Sequence, residues 1–471
     1  MPTRLKHFLG PVIVQHFRKV RGNLQVSSGG RFLSSIFQPL VWSAALPLCC
    51  VLLSLSASHL SAADQPPLSL QQAHKMALQN HPLISVADLK TLASRQVVTQ
   101  ARSGFLPNIS LNSVSVGTTA DNTRLSAIGA LNNPAIFDRN AEGVLISQLI
   151  TDFGRTANLT KSAKFQAEAA ANNAQATREQ ILLAVDGAFY SAQQAQAVTQ
   201  VAQQTVAARQ IFLDQVSELA RTKIKSELDV SFARVNVEDA QLLLVRAQND
   251  LDASFAQLSN LLGLREAKSF HLIEESAPPP VSTNVFDFVQ QALQLRPDVV
   301  SLRNQQDAAF SLARAERDAR LPTIAAVGSA GAAPIHDAAL SDTYAAAGII
   351  VNLPIFAGGL YTARQREAEL QAQAAQESLR NLENNVIRDV RIAWLNAQNA
   401  FDRHNITGRL LDNAKQSYEL AQARYKVGLS SIVEINQAEL NLISAQITDA
   451  NTLYEYLVQR AALNFQTGTL R

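Results

Sequence analysis

Proline is missing where a chain of this length usually needs it. There are 471 residues and 16 prolines, yet none falls between residues 154 and 276 and none follows Pro354. Proline ends helix interiors and marks turns, so two long proline-free tracts read as extended helices and exclude a many-turned sheet protein. Aromatic residues make up only 6% and charged residues 17% of the chain, which excludes a large round core built on aromatic anchors. Cysteine is confined to Cys49 and Cys50, inside a segment that carries Arg4, Lys6, Arg18, Lys19, Arg21 and Arg31 and no carboxylate. From Phe32 to Ala63 no charged residue occurs; Leu46–Leu55 is strongly apolar, and Ser61-Ala62-Ala63 closes the stretch. Basic flank, apolar run and small-residue end are the layout of a secretory leader, expected over residues 1–63. Its removal takes both cysteines, and with them any disulfide. It also changes the balance from 41 basic and 39 acidic residues to 41 − 6 = 35 against 39, a net of −4. A mildly acidic chain offers no electrostatic reason to bind nucleic acid.

Signals of chemistry are missing too. Past the leader stand His74, His81, His271, His336 and His404, none paired at i, i+4, so neither a metal ligand set nor a catalytic residue is expected. Gly328-Ser329-Ala330-Gly331, placed in an expected loop between strands, lacks the Gly-Lys-Ser/Thr ending of a phosphate loop, and Gly-x-Ser-x-Gly does not occur. The chain reads as a non-enzyme without cofactors.

What is present is a duplication. Ala77-Leu78-Gln79-Asn80-His81-Pro82 recurs as Ala292-Leu293-Gln294-Leu295-Arg296-Pro297, and Phe105-Leu106-Pro107 as Arg320-Leu321-Pro322, both 215 residues on. Asp152-Phe153-Gly154 matches Ala357-Gly358-Gly359, Leu228-Asp229-Val230 matches Val433-Glu434-Ile435, and Leu258 to Gly263 matches Leu463 to Gly468, all at 205. The copies are expected over 64–276 and 284–468, joined by a Pro-rich linker at 277–283.

Each copy reads in the same order. A helix opens at a capping signal, Ser69 with Gln72 or Asn284 with Asp287, and runs unbroken to Leu106-Pro107 or Leu321-Pro322. A hairpin follows at 108–152 or 323–357, with Val144, Ile146 and Ile150 on one face. Then come a very long helix, a tip turn at 221–227 or 426–431, and a last helix. Ile181, Val185, Phe189 and Ala192 share a face with Val386, Val390, Trp394 and Ala397 at the equivalent places. In the last helices a 3-4 alternation runs through Leu440, Ile443, Ile447, Ala450, Tyr454, Leu457 and Ala461 in one copy and through Leu244, Gln248, Leu251, Phe255, Leu258 and Leu262 in the other, which implies left-handed supercoiling. The fold class is mainly α with a small β part: duplicated long-helix hairpin rods plus four strands per chain. Four strands close no barrel, since about eight is the usual minimum. Three chains supply 3 × 4 = 12, and a closed barrel is the form in which strands survive in lipid. Abundant Gln and Asn on the helices (Gln193, Gln194, Gln196, Gln203, Gln204, Asn396, Gln398, Asn399) suit a wet bore or an outer face.

The leader, the two copies, Ala-Leu-x-x-(Asn/Leu)-x-Pro at the opening of each, Leu353-Pro354-Ile355-Phe356-Ala357-Gly358-Gly359, and Arg424-Tyr425-Lys426-Val427-Gly428-Leu429-Ser430 together resemble the TolC-like outer-membrane efflux protein family over the whole chain past the leader. The resemblance implies a homotrimer with a 12-stranded barrel among outer-membrane lipid and a helical tunnel in the periplasm of a Gram-negative bacterium. It further implies docking on a periplasmic adaptor and an inner-membrane pump. It points to the tip as a gate, with Tyr425, Asp229 and Glu434 as gate residues and Val427, Gly428 and Leu429 as the adaptor contact. Three Glu434 side chains about 6 Å apart around an axis repel by roughly 3 kcal/mol per pair at an effective dielectric near 20. A Tyr425–Asp229 bond is the expected latch; Gln437 and Ser430 stand where the family often has a second acid and an Arg. The competing reading is a non-conducting periplasmic coiled-coil scaffold.

Overall fold

The computed structural model describes residues 67–116, 139–274, 278–336 and 341–470, so the expected leader lies outside the described residues. The order is β1 (Pro67–Leu68), α1 (Leu70–Asn80), α2 (Pro82–Ser103), β2 (Asn108–Val116), β3 (Arg139–Thr151), α3 (Arg155–Arg221) and α4 (Glu227–Leu261). The second copy continues as β4 (His271–Leu272), α5 (Val285–Leu295), α6 (Pro297–Asp318), β5 (Thr323–Ile335), β6 (Thr343–Asn352), α7 (Leu360–Lys426) and α8 (Ile432–Gln466). The opening helix of each copy is not continuous. Pro82 and Pro297 take the first helical position of α2 and α6, where a missing N–H costs nothing. The preceding His81 and Arg296 are forced to extended backbone, and the helix breaks there. Ser69 and Gln72 do form a reciprocal capping box. The short parallel pair of β1 with β4 ties the two copies at their start and was not foreseen; two residues carry too little pattern to read.

Helices α3 and α7 each run 67 residues, on the order of 100 Å at 1.5 Å per residue. Toward the tip α3 packs against α4 and α8, and α8 against α7; toward the sheet α3 packs against α2 and α6, and α6 against α7. Each half is thus a strip of four helices. The sheet is a strip as well, in the order β2-β3-β5-β6, antiparallel throughout. Gly328–Gly331, expected in a loop, lies inside β5.

The buried seam of the rod is made of small residues at intervals of seven. Ala167, Ala174, Ile181, Ala188, Ala202, Arg209 and Val216 are buried on α3, and Ala372, Val386, Ala393, Ala400, Thr407, Ala414 and Ala421 on α7. Ala233, Ala240, Ala247 and Ser254 continue it on α4, with Ala438, Ala445 and Thr452 on α8. Small side chains let the helix axes approach, and the strict interval of seven produces the supercoil. The stripe expected on the last helices is displaced: Gln248 and Leu440 are exposed, while Tyr454, Leu457, Phe255 and Leu258 are buried where the copies meet. There Val185, Phe189, Leu258, Leu262, Phe270 and Tyr454 form the largest apolar cluster, and His74 on α1 bonds the buried Asp186 on α3. Gly263 ends this copy at φ +74°, and an added Cβ would stand 2.7 Å from the Asn80 carbonyl oxygen.

Candidate gate at the helix tip

The two tip turns occupy equivalent places and differ in chemistry. In the first, Ser226 caps α4: its Oγ accepts from Asp229 N at 3.2 Å, and the Asp229 carboxylate accepts from Ser226 N at 3.1 Å and from Ser226 Oγ at 3.0 Å. In the second, Ser431 Oγ accepts from Glu434 N at 3.4 Å, but the Glu434 carboxylate turns away to Arg424, with Nη1 to Oε1 at 3.3 Å. Arg424 also donates to the Leu429 carbonyl at 3.3 Å. The left-handed residue that turns the chain is Gly428 at φ +77° in one copy and Lys223 at φ +63° in the other. For a lysine that conformation costs about 1–2 kcal/mol.

Tyr425 lies in a cavity of about 460 Å³ between the turns, with Phe212, Ile224, Lys225 and Ile435 around it. Its ring is 5.7 Å from that of Phe212, and Lys225 Nζ stands 4.1 Å from its centroid, within cation–π range. The hydroxyl is buried and makes no hydrogen bond among the described residues. The expected Tyr425–Asp229 bond is therefore not formed within the protomer, because Asp229 is spent on its own helix cap. Proximity still tells: burial first, and the Asp229 charge second, push the Tyr425 hydroxyl above its ordinary value of 10.0. Within the single chain the Glu434 carboxylate is not bare, since Arg424 stands beside it. Gln437 bonds Asn441 along its helix at 3.1 Å.

Val427 and Leu429 stand exposed on the turn with Ile224, and Leu228 and Val433 stand exposed in the first turns of α4 and α8. Ile224 and Leu429 are equivalent positions, as are Leu228 and Val433, whose alignment between the copies did not by itself mark them as exposed. Also missed was Arg209, only 5% exposed, which donates to Glu439 Oε1 at 3.2 Å and to the Asn236 carbonyl at 2.6 Å, tying α3 to α8 and α4. Its equivalent is Ala414, and that of Glu439 is Arg234, so the signal was a charge present in one copy alone. Of the glutamines set against a bore, Gln193 is buried and bonds the Ile273 carbonyl at 2.8 Å, and Gln194 bonds Asn451 at 2.8 Å, whereas Gln203, Gln204, Asn396 and Asn399 are exposed. Among the described residues no group of three His, Cys, Asp or Glu side chains forms a metal site, and no helix is long and apolar enough to cross a membrane.

On the sheet, one face carries Ile109, Leu111, Val144, Ile146, Ile349 and Val351, all exposed. The other carries Asn108, Ser110, Asn112, Ser147, Ser329 and Tyr344, with Val114, Leu145 and Ile350 among them. The first face is the more apolar of the two, as on a strand with lipid on one side and water on the other.

The family model of the outer membrane efflux protein matches residues 73–264 and 288–469, one block in each copy. The outer membrane protein TolC of Escherichia coli K12 is 24% identical over 440 residues, spanning 89% of this chain and 86% of the relative. The alkaline protease secretion protein AprF of Pseudomonas aeruginosa is 23% identical over 419 residues, 86% of each chain. The outer membrane protein VceC of Vibrio cholerae superposes with a TM-score of 0.70 at 18% identity, covering 85% of this chain and 96% of that one. With duplicated rods, an open four-stranded sheet and both copies matched, the chain belongs to the outer membrane efflux protein family: a channel of the outer membrane with a periplasmic helical domain, and not an enzyme.

Proposed function

We propose that three copies of this chain close into one export channel, a 12-stranded barrel continued by a helical tunnel, which takes substrate from an inner-membrane pump through a periplasmic adaptor seated on the tip. The observation that carries this is the strip of four repeated at three levels with matching edges. The strips end on β2, α2 and α4 at one side and on β6 and α7 at the other. Unpaired strand edges cost several kcal/mol per backbone group in lipid, so the sheet needs further copies to enter a bilayer. Strands of 9, 13, 13 and 10 residues reach across one. The helical edge carries the same sign of incompleteness: Leu228, Val235 and Leu242 form an exposed apolar lane at intervals of seven along α4, as a coiled-coil seam awaiting a partner does.

At the tip, Tyr425 and Asp229 act on the closed state through burial and charge, and Glu434 acts through its pair with Arg424. Val427, Gly428 and Leu429, with Ile224 beside them, offer the adaptor an apolar knuckle. A scaffold that conducts nothing has no use for a sheet with one oily face.

The test is a disulfide scan. Cysteine pairs placed along β2 and β6 should yield a covalent species of three chains in detergent-extracted membranes, and that species should conduct ions across a planar bilayer once Arg424→Ala loosens the tip. Cross-linking that stops at two chains, or grows past three, overturns the reading.

A further inference from the structure

The turns between sheet and helices bear exposed apolar side chains: Phe105 and Leu106 before β2, Phe153 after β3, Leu321 before β5, and Leu353, Ile355 and Phe356 after β6, the last two 91% and 90% exposed. In the channel reading they stand at the level where the sheet leaves the membrane. One turn to four below it, α2 and α3 enclose a cavity of about 750 Å³ whose walls are of two kinds. Phe105, Leu106 and Phe165 are apolar; Arg102, Lys161 and Lys164 bring three cations against the single carboxylate of Glu168. At its wall sits Thr160, 6% exposed, whose hydroxyl makes no hydrogen bond among the described residues.

We propose that this cavity is a binding site for the phosphate headgroup of an anionic glycerophospholipid from the leaflet facing the periplasm, its acyl chains rising past Phe105 and Leu106 along the outside of the sheet. The assignment rests on the sheet lying in the bilayer, as the channel reading requires. Four observations meet in it. The charge is complementary, at three cations to one anion. A buried hydroxyl without a partner costs about 1–3 kcal/mol, and a turn about χ1 that brings the Thr160 hydroxyl from its covered position into the cavity lets a phosphate oxygen satisfy it. Direction agrees: Cα–Cβ bonds tilt toward a helix's N-terminus, so Lys161 and Lys164 on the descending α3 lean up toward the membrane, while Arg102 at the upper end of α2 leans down to them. Long basic side chains hold an ammonium or guanidinium at a headgroup while their stems lie on apolar surface; Lys161 reaches the apolar wall in this way, with Nζ 5.7 Å from the Phe165 ring centroid at the mouth of the cavity.

The full-length protein, purified in maltoside detergent, is titrated with dihexanoyl phosphatidylglycerol below its own micelle-forming concentration, and bound lipid is counted by native mass spectrometry. One lipid per chain is expected in the wild type. Lys161→Gln with Lys164→Gln should weaken binding at least about tenfold, and Thr160→Val, which keeps the shape and removes the hydroxyl, by about threefold. Equal binding to the double variant overturns the proposal, as does displacement of the lipid by an equal concentration of inorganic phosphate, which marks a free-anion site. Absence of bound lipid together with a Phe165→Cys to Phe356→Cys cross-link between copies also overturns it, because a neighbour's Ile355–Phe356 then fills the cavity. Bilayer conductance of the wild type, measured in parallel, reports on the channel reading by itself.

Discussion

Arg209 is the one long charged side chain in a seam otherwise built of alanine and a few branched residues, and its removal has a calculable consequence. Its side chain is 6% exposed and that of its partner Glu439 15%, so the pair is shielded from solvent and changes little with salt. Arg209→Met leaves the Glu439 carboxylate and the Asn236 carbonyl without their donor. Stranding one member of a buried pair costs about 3–5 kcal/mol, and the residual access of water to Glu439 places this case near the lower end. A loss of about 3 kcal/mol accelerates local opening roughly a hundredfold, since each 1.4 kcal/mol is a factor of about ten. Amide hydrogen exchange along α4 and α8 around Val230–Ala240 and Ala438–Ala445 reads that acceleration directly. Arg209→Met combined with Glu439→Met removes the stranded charge and should recover most of the protection. If the single variant exchanges like the wild type, or if the double variant is no better protected than the single, the tie does not hold the three helices together and the reasoning fails.

Three further outcomes are open to measurement. Gly263→Ala forces a left-handed alanine whose Cβ meets the Asn80 carbonyl, and should lower stability by about 1–3 kcal/mol in denaturant unfolding, while Gly187→Ala, in the middle of α3 with nothing within 4 Å, should raise it by about 0.5–1 kcal/mol. Burial, then the charge of Glu274 and a hydrogen bond to it, push the Tyr454 hydroxyl up from 10.0 to about 12. The folded value lies above the unfolded one, so the stabilisation is complete below pH 10 and disappears as pH rises through 12; ultraviolet titration should show a phenolate forming at about 12 that Tyr454→Phe removes. Tyr425→Phe discards a hydroxyl with no partner in the protomer, and should leave protomer stability within about 0.5 kcal/mol while removing this residue's share of the alkaline sensitivity above pH 10; a larger loss in a thermal scan would mean that the hydroxyl finds a partner across a subunit boundary.

Strong periodicity was legible in the chain, because each element of the rod is long enough for its pattern to exceed chance. The 67-residue helices, the hairpins and the duplication all follow from proline placement and constant offsets. Three things were not. The break at Pro82 and Pro297 was hidden because proline at the first helical position leaves periodicity intact on both sides. The choice of buried lane was hidden because alanine carries little hydrophobic signal, so the large apolar residues drew attention to lanes that a single copy leaves open, such as Leu440. The tip chemistry was hidden because the same acid, at equivalent positions, caps its helix as Asp229 and reaches an arginine as Glu434, one methylene longer.

The bare edges of β2 and β6 have a consequence for biogenesis. A freshly exported chain carries, in water, two unpaired strand edges and an oily face between them, which is the composition of an aggregating species. The helical rods can form early from local contacts, whereas on the proposed trimeric reading the sheet is completed only when companions arrive. On the proposed trimeric reading, closing the sheet and entering lipid are therefore coupled, and a chaperone that covers the bare edges before then would favour assembly over aggregation.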